Sequence, residues 1–245
     1  MIGQETFLAP RDMPLWRADM LPDRPLAGLT VLVVEDSRFA SEALRLLCLR
    51  SGARIRRADS LKAALRHLAT YQPTVLIVDM GLPDGNGAEL MSIFTNSHQR
   101  PPVVLGISGD PSNECIALEA GADGFLAKPI ERLAVFQQAI LGALPRDYQR
   151  SGLRALPNDT ISPDRAALRD DLAHVAEILA NAQDTSTIEY IAKFLAGVAR
   201  SVRDHSLEDA ARTLARDHQA GRAVAADLAR ISSLVHDRLD AVGNF

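Results

Sequence analysis

The chain has 245 residues, 47% of them apolar, which is enough to bury a sizeable core in one large domain or two small ones. Its 27 basic and 31 acidic residues leave a net charge of -4, which excludes a global field drawing it to nucleic acid or anionic lipid, so partners must come from local sites. No apolar run is long enough to cross a bilayer, and the first thirty residues carry Glu5, Asp12, Asp19 and Asp23 where a secretory leader would have a basic start; the expectation is a cytoplasmic protein.

Residues 1–27 hold four prolines, Pro10, Pro14, Pro22 and Pro25, whose spacing forbids a long helix. The segment is expected to be an extended arm, with Phe7, Leu15 and Trp16 available to dock on a neighbouring surface. From Leu29, short aliphatic runs alternate with amphipathic stretches, the pattern of a parallel sheet covered by helices. The strands are placed at Thr30–Val34, Arg54–Arg57, Val75–Val78, Val103–Ile107 and Gly124–Ala127. The helices are placed at Arg38–Arg50, Leu61–Ala69, Ala88–Asn96, Asn113–Ala120 and Leu133–Leu141. Cys48 and Cys115 both fall in helix-like apolar patterns and are expected to be reduced core thiols. Residues 28–144 thus read as one α/β domain, doubly wound, with its ligands beyond the carboxyl ends of the strands.

Residues 145–163 lose the periodicity, contain three prolines and read as a linker. Residues 164–245 read as an all-α domain. Ser162-Pro163 is expected to cap its first helix, with Leu168, Leu172, Val175 and Leu179 on one face. Ser186 and Glu189 suit a capping box before Ile188, Ile191, Leu195, Val198 and Val202, whose spacing makes a narrow seam. Ser206 and Asp209 are expected to open a third helix, and Gly221 to stop it before Val224, Leu228, Ile231, Val235 and Leu239 form a fourth. Four such stripes imply a bundle or an oligomeric interface.

The chemistry gathers at the strand ends. Glu35 and Asp36 follow the first strand, Asp79 the third, Ser108 the fourth and Lys128 the fifth. A doubly wound sheet brings those ends to one edge, where clustered carboxylates repel one another unless a cation offsets them. Magnesium suits such a site, because it binds through few carboxylates, keeps several waters and bridges to phosphate oxygens.

These stretches, VLVVED, LIVDMGLPDGNG, GISGD and GADGFLAKP, resemble the response-regulator receiver family over about half the chain. The resemblance implies a flavodoxin-like five-stranded domain in which Asp79 accepts a phosphoryl group. It implies that Asp36, Asp79 and the backbone carbonyl of Met80 ligate Mg2+, with Glu35 acting through water. Lys128 would pair with the phosphate, Ser108 would bond a phosphoryl oxygen, and Phe125 would be the aromatic partner of that serine in a two-state switch. Taken singly, each of these residues has a plainer role: an Asp at a strand end is usually a cap, a lysine a solvated charge, a phenylalanine part of the core. Their coincidence at consecutive strand ends outweighs that. Pro83, Gly85 and Gly87 shape the loop after Asp79, and in the family the positions of Gly81 and Asp110 influence how long the phosphoryl group persists.

The helical region has 13 basic and 15 acidic residues from 146 to 245, against the concentrated positive charge of a DNA-binding domain. The expectation is a two-component response regulator without a separate enzymatic output. A phosphohistidine on a sensor histidine kinase or a histidine phosphotransfer protein would be the donor. The bundle would associate with itself or with a protein target through unburied seam surface, with neither nucleic acid nor membrane as partner. The alternatives are a phosphorelay intermediate or a phosphate sink, the bundle then being a degenerate phosphotransfer domain. His218-Gln219-Ala220-Gly221 comes nearest to such a relay motif but lacks its lysine, and His174, His205 and His236 have less around them.

Overall fold

Valine and isoleucine stack well on a pleated surface that is covered on both faces, and the aliphatic runs of the first half form strands for that reason. The computed structural model describes residues 24–95, 97–145, 148, 157–180 and 184–243. Its elements begin β1 (Thr30–Val34), α1 (Arg38–Ser51), β2 (Arg54–Ala58), α2 (Leu61–Leu68), β3 (Val75–Asp79), β4 (Gly81–Leu82), β5 (Gly85–Asn86) and α3 (Gly87–Phe94). They continue with β6 (Val103–Ser108), α4 (Asn113–Glu119), β7 (Gly124–Ala127) and α5 (Leu133–Ala143). The helical region supplies α6 (Arg165–Leu179), α7 (Thr185–Ser201), α8 (His205–Gln219) and α9 (Ala225–Gly243).

Five strands pair in parallel in the order β2-β1-β3-β6-β7. The order reverses at β1 and β3, so the crevice lies beyond their carboxyl ends. Val31 and Val33 point to one face with α1 and α5, while Leu32 and Val34 point to the other with α2, α3 and α4. The expected strands and helices all form. The short hairpin of β4 and β5 was not expected; it arises because Gly85, at φ 154, closes the turn after Pro83 and Asp84. Asp84 in that turn accepts the amides of Leu61 and Lys62 at 2.8 and 2.9 Å, fixing the start of α2.

Several expectations need correction. The arm ends inside the first domain: Leu26 is fully buried and its amide donates to the Ser51 carbonyl at 2.9 Å. Phe7, Leu15 and Trp16 lie outside the described residues. The end of the linker is likewise docked, because the Leu133 amide donates to Asp159 and the Ile161 amide to Glu131, burying Ile161 in the first core. Cys48 is buried, which pushes its thiol up to about 12, whereas Cys115 is exposed because α4 turns only Ala117 fully inward.

Each of the first three bundle helices is capped by an aspartate in place of the serine expected. Asp164 accepts the Ala166 amide, Asp184 the Thr187 amide and Asp204 the Leu207 amide. A carboxylate is the stronger acceptor for a helix's first amides. The seam is also corrected. Ile188, Ile191, Leu195 and Val198 are buried in one core with Leu172 and Val175 of α6, Leu207 and Leu214 of α8, and Ile231 and Val235 of α9. Val202 lies past the end of α7 as its C-cap. The seam surface expected to await a partner is consumed within the bundle.

Candidate functional site

The strand order sets the site. β1 ends at Val34, placing Glu35 and Asp36 beside Asp79 at the end of neighbouring β3. β6 contributes Ser108, and the segment after β7 brings Lys128 across, its amide donating to the Ser108 carbonyl at 2.8 Å. Gly87 permits the close loop approach beneath Asp79, since a methyl on it would overlap the Asp79 carbonyl.

The Lys128 Nζ donates to Asp79 Oδ2 at 2.8 Å and pairs with Glu35 Oε2 at 2.7 Å. One carboxylate oxygen from each of Glu35, Asp36 and Asp79 lies within 4.8 Å of the others. Three carboxylates against one ammonium leave a local deficit of positive charge. Burial raises the Glu35 carboxyl well above the usual range, the Asp79 charge adding to it, and Asp36 is raised to about 7 for the same two reasons. Burial alone would lower the Lys128 ammonium, but the carboxylates of Asp79 and Glu35 outweigh it and hold it above its ordinary value.

This donor set fits a hard divalent cation. All three donors are carboxylate oxygens, and Glu35 Oε2, although beside the ammonium, is buried without a hydrogen bond of good geometry. The Met80 carbonyl takes only a long 3.3 Å bond from the Gly87 amide, which leaves a lone pair for a further interaction. Ser108 Oγ accepts from the Asp110 amide at 3.1 Å and from Asn113 Nδ2 at 2.9 Å. Its acceptor capacity is thereby filled, and the hydroxyl hydrogen is the part left to donate. Phe125 is half-buried and packs against the second core, with its ring near Gly106.

The family model of the response regulator receiver domain matches residues 31–140, which hold every one of these residues. Residues 31–140 belong to the response regulator receiver family. Among relatives, the chain is 37% identical over 99 residues to the KDP operon transcriptional regulatory protein KdpE of Escherichia coli, covering 40% of this chain and 44% of that protein. It is 31% identical over 137 residues to the transcriptional regulatory protein PmrA of Pectobacterium parmentieri, covering 56% of this chain and 61% of that protein. The chain thus spans about half the length of these relatives. A putative response regulator from Chloroflexus aurantiacus, of known crystal structure, is 32% identical with a TM-score of 0.43, covering 46% of this chain and 98% of that one.

The helical bundle sits on the receiver's acidic edge, a contact the sequence reading missed. The Tyr190 hydroxyl of α7 donates to Asp36 Oδ2 at 2.9 Å. Asp171 of α6, only 2% exposed, accepts from Ser37 Oγ at 2.7 Å, the Arg38 amide at 2.7 Å and the Phe39 amide at 3.1 Å, capping α1 from outside. The sequence did carry a signal: Asp171 interrupts the apolar stripe of Leu168, Leu172 and Val175, and an acid there needs donors. For Tyr190, nothing in the local sequence points to its partner. Together α7 and α8 wall a cavity of about 410 Å³ that also contains Glu35, Asp36, Asp79, Ser108 and Lys128. Among the described residues no helix is long and apolar enough to cross a membrane.

Proposed function

We propose that this two-component response regulator accepts a phosphoryl group on Asp79 from a phosphohistidine donor, in a magnesium-dependent reaction, and that its non-enzymatic helical domain is seated on the phosphoacceptor pocket. The observation that carries the proposal is the Lys128 ammonium paired with buried Asp79 and Glu35, with the half-buried Asp36 completing the carboxylate cluster. Glu35, Asp36, Asp79 and the Met80 carbonyl would hold the ion, which when bound neutralises charge on the phosphoryl oxygens.

The chain's own residues supply the rest. A carboxylate oxygen of Asp79 attacks phosphorus in line as the phosphorus–nitrogen bond to the donor imidazole breaks, and the pair of electrons leaves with that nitrogen. Lys128 stays beside the new phosphoaspartate as a fixed positive charge, and the Ser108 hydroxyl donates to a phosphoryl oxygen, with Phe125 able to follow its movement. Because α7 walls the cavity, a macromolecular donor such as a sensor kinase reaches Asp79 only when the bundle shifts. State-dependent association is therefore assigned first to the bundle and its own receiver, and the protein target expected for the bundle would compete for the same face.

A phosphorelay intermediate or a phosphate sink is second to this reading: His218, the nearest candidate for a relay, is half-buried in the last turn of α8. The test is intact-mass analysis after incubation with acetyl phosphate and magnesium. The parent chain gains one phosphoryl group and Asp79→Asn gains none; equal labelling of both rejects Asp79 as the acceptor.

A further inference from the structure

The cavity around Asp79 has a second charged wall, contributed by the bundle. Arg200 near the end of α7 and Arg212 of α8 both line it. Glu208, whose side chain is 9% exposed, holds the two together: its Oε1 accepts from Arg200 Nε at 2.9 Å and pairs with Arg212 Nη2 at 2.8 Å. One carboxylate against two guanidiniums leaves net positive charge on this wall. With Nε committed to Glu208, the Arg200 Nη1 rests on Gly109, close enough that a methyl there would overlap it. Gly109 directly follows Ser108, the receiver's phosphoryl-bonding candidate. The same field reaches the next residue, since Arg200 and Arg212 add to the Ser112 hydrogen bonds in holding the Asp110 carboxyl low.

We propose that Arg200, positioned by Glu208 and supported by Arg212, is a phosphoryl-binding residue that the helical domain contributes to the receiver pocket, taking an oxygen of the phosphoryl group on Asp79 beside Ser108. The ligand class is a tetrahedral oxyanion, and the inference rests on Asp79 as the acceptor. A phosphoryl group brings additional negative charge and three acceptor oxygens, and a guanidinium already fixed through one nitrogen loses little freedom in donating from the others. Tyr190 and Arg200 lie ten residues apart on α7, about 15 Å along the helix, so the helix spans the pocket with one end at Asp36 and the other at Gly109. Phosphorylation pulls on the Arg200 end, while a cation at Asp36 competes with the Tyr190 end. The bundle therefore re-seats about α7 and does not simply leave.

The experiment is a titration of the full chain with beryllofluoride in excess magnesium, read by fluorine NMR, on the parent, Arg200→Ala, Arg200→Lys, the surface control Arg222→Ala, and Asp79→Asn. A hydrogen bond to a charged group corresponds to about tenfold or more in affinity, so Arg200→Ala is expected to bind beryllofluoride about tenfold more weakly than the parent. Arg200→Lys is expected to recover part of the loss, because it restores charge without the fork, and Arg222→Ala to match the parent. Circular dichroism melts establish that each variant is folded. If Arg200→Ala binds as tightly as the parent while Asp79→Asn does not bind, the proposal is overturned and the Asp79 reading stands. If Arg200→Lys is as weak as Arg200→Ala, the loss belongs to bundle seating and the proposal is again overturned. If the parent itself does not bind, the Asp79 reading fails and the proposal falls with it.

Discussion

Asp36 has two claimants at the level of single residues. Its Oδ2 accepts the Tyr190 hydroxyl at 2.9 Å, and the same carboxylate belongs to the cluster suited to a cation. Occupation by one costs the other a partner. Tyr190→Phe removes the hydroxyl, keeps the ring against Phe194, and is expected to tighten magnesium binding several-fold, up to about tenfold for a bond of this kind; calorimetric titration of magnesium into both chains checks it, and equal affinities would count against the competition. Asp171 has a different role. Its three bonds hold the start of α1, and burial raises its carboxyl despite them. Asp171→Asn keeps the shape but loses acceptor strength, so the Phe39 amide is expected to exchange about tenfold faster by hydrogen-exchange NMR. The Asp79 carboxylate and the Lys128 ammonium beside it could be placed from the sequence because each sits at or just past the end of its own strand. Tyr190 and Arg200 could not, because Asp36 and Gly109 lie on another domain and no local pattern points across; Asp171 in its apolar stripe signalled a need for donors without saying which.

Among the elements, the strands of the receiver were the most legible, since a doubly covered strand needs an uninterrupted aliphatic run and these runs are bounded by turn residues. The β4–β5 hairpin was hidden because a two-residue strand has no periodicity to detect. The bundle helices were legible as elements, but their caps were assigned to serines when nearby aspartates do the capping. Asp204 shows why this matters: it caps α8 and also accepts Arg238 Nε of α9 at 2.8 Å, so one carboxylate fixes a helix start and joins two helices. The Arg238 bond, with Ser206 and the Leu207 amide adding to it, lowers its carboxyl to about 2. A lowered carboxyl stabilises the fold above its unfolded value, about 3.9, and that contribution is lost as pH falls through the folded value. Helical signal from the bundle is therefore expected to weaken between about pH 4 and pH 2. Asp204→Asn, which still caps but carries no charge, should flatten this dependence in a circular dichroism titration. A parent and variant with identical acid profiles would remove Asp204 from the explanation.

For the whole molecule, the expectation from sequence was two domains and a linker, with nothing said of how the helical region meets the receiver's strand ends. The amphipathic seam of α7 was expected to seek a partner, and it is buried in the bundle instead. The unforeseen face is the polar one, with Tyr190 at the carboxylate corner of the pocket and Arg200 at the serine corner. A sequence shows which residues a helix must hide, but not which polar side chains a second domain will meet. The receiver's chemistry and the position of the bundle therefore share one cavity, and a change in either must be felt by the other. The most direct test is hydrogen exchange on the full chain with and without magnesium and beryllofluoride. Exchange is predicted to rise at the Arg38 and Phe39 amides held by Asp171 and to fall at Gly109 and Asp110 beside Arg200. Protection that changes around Asp79 while α1 and the bundle remain as they were would contradict a shared cavity.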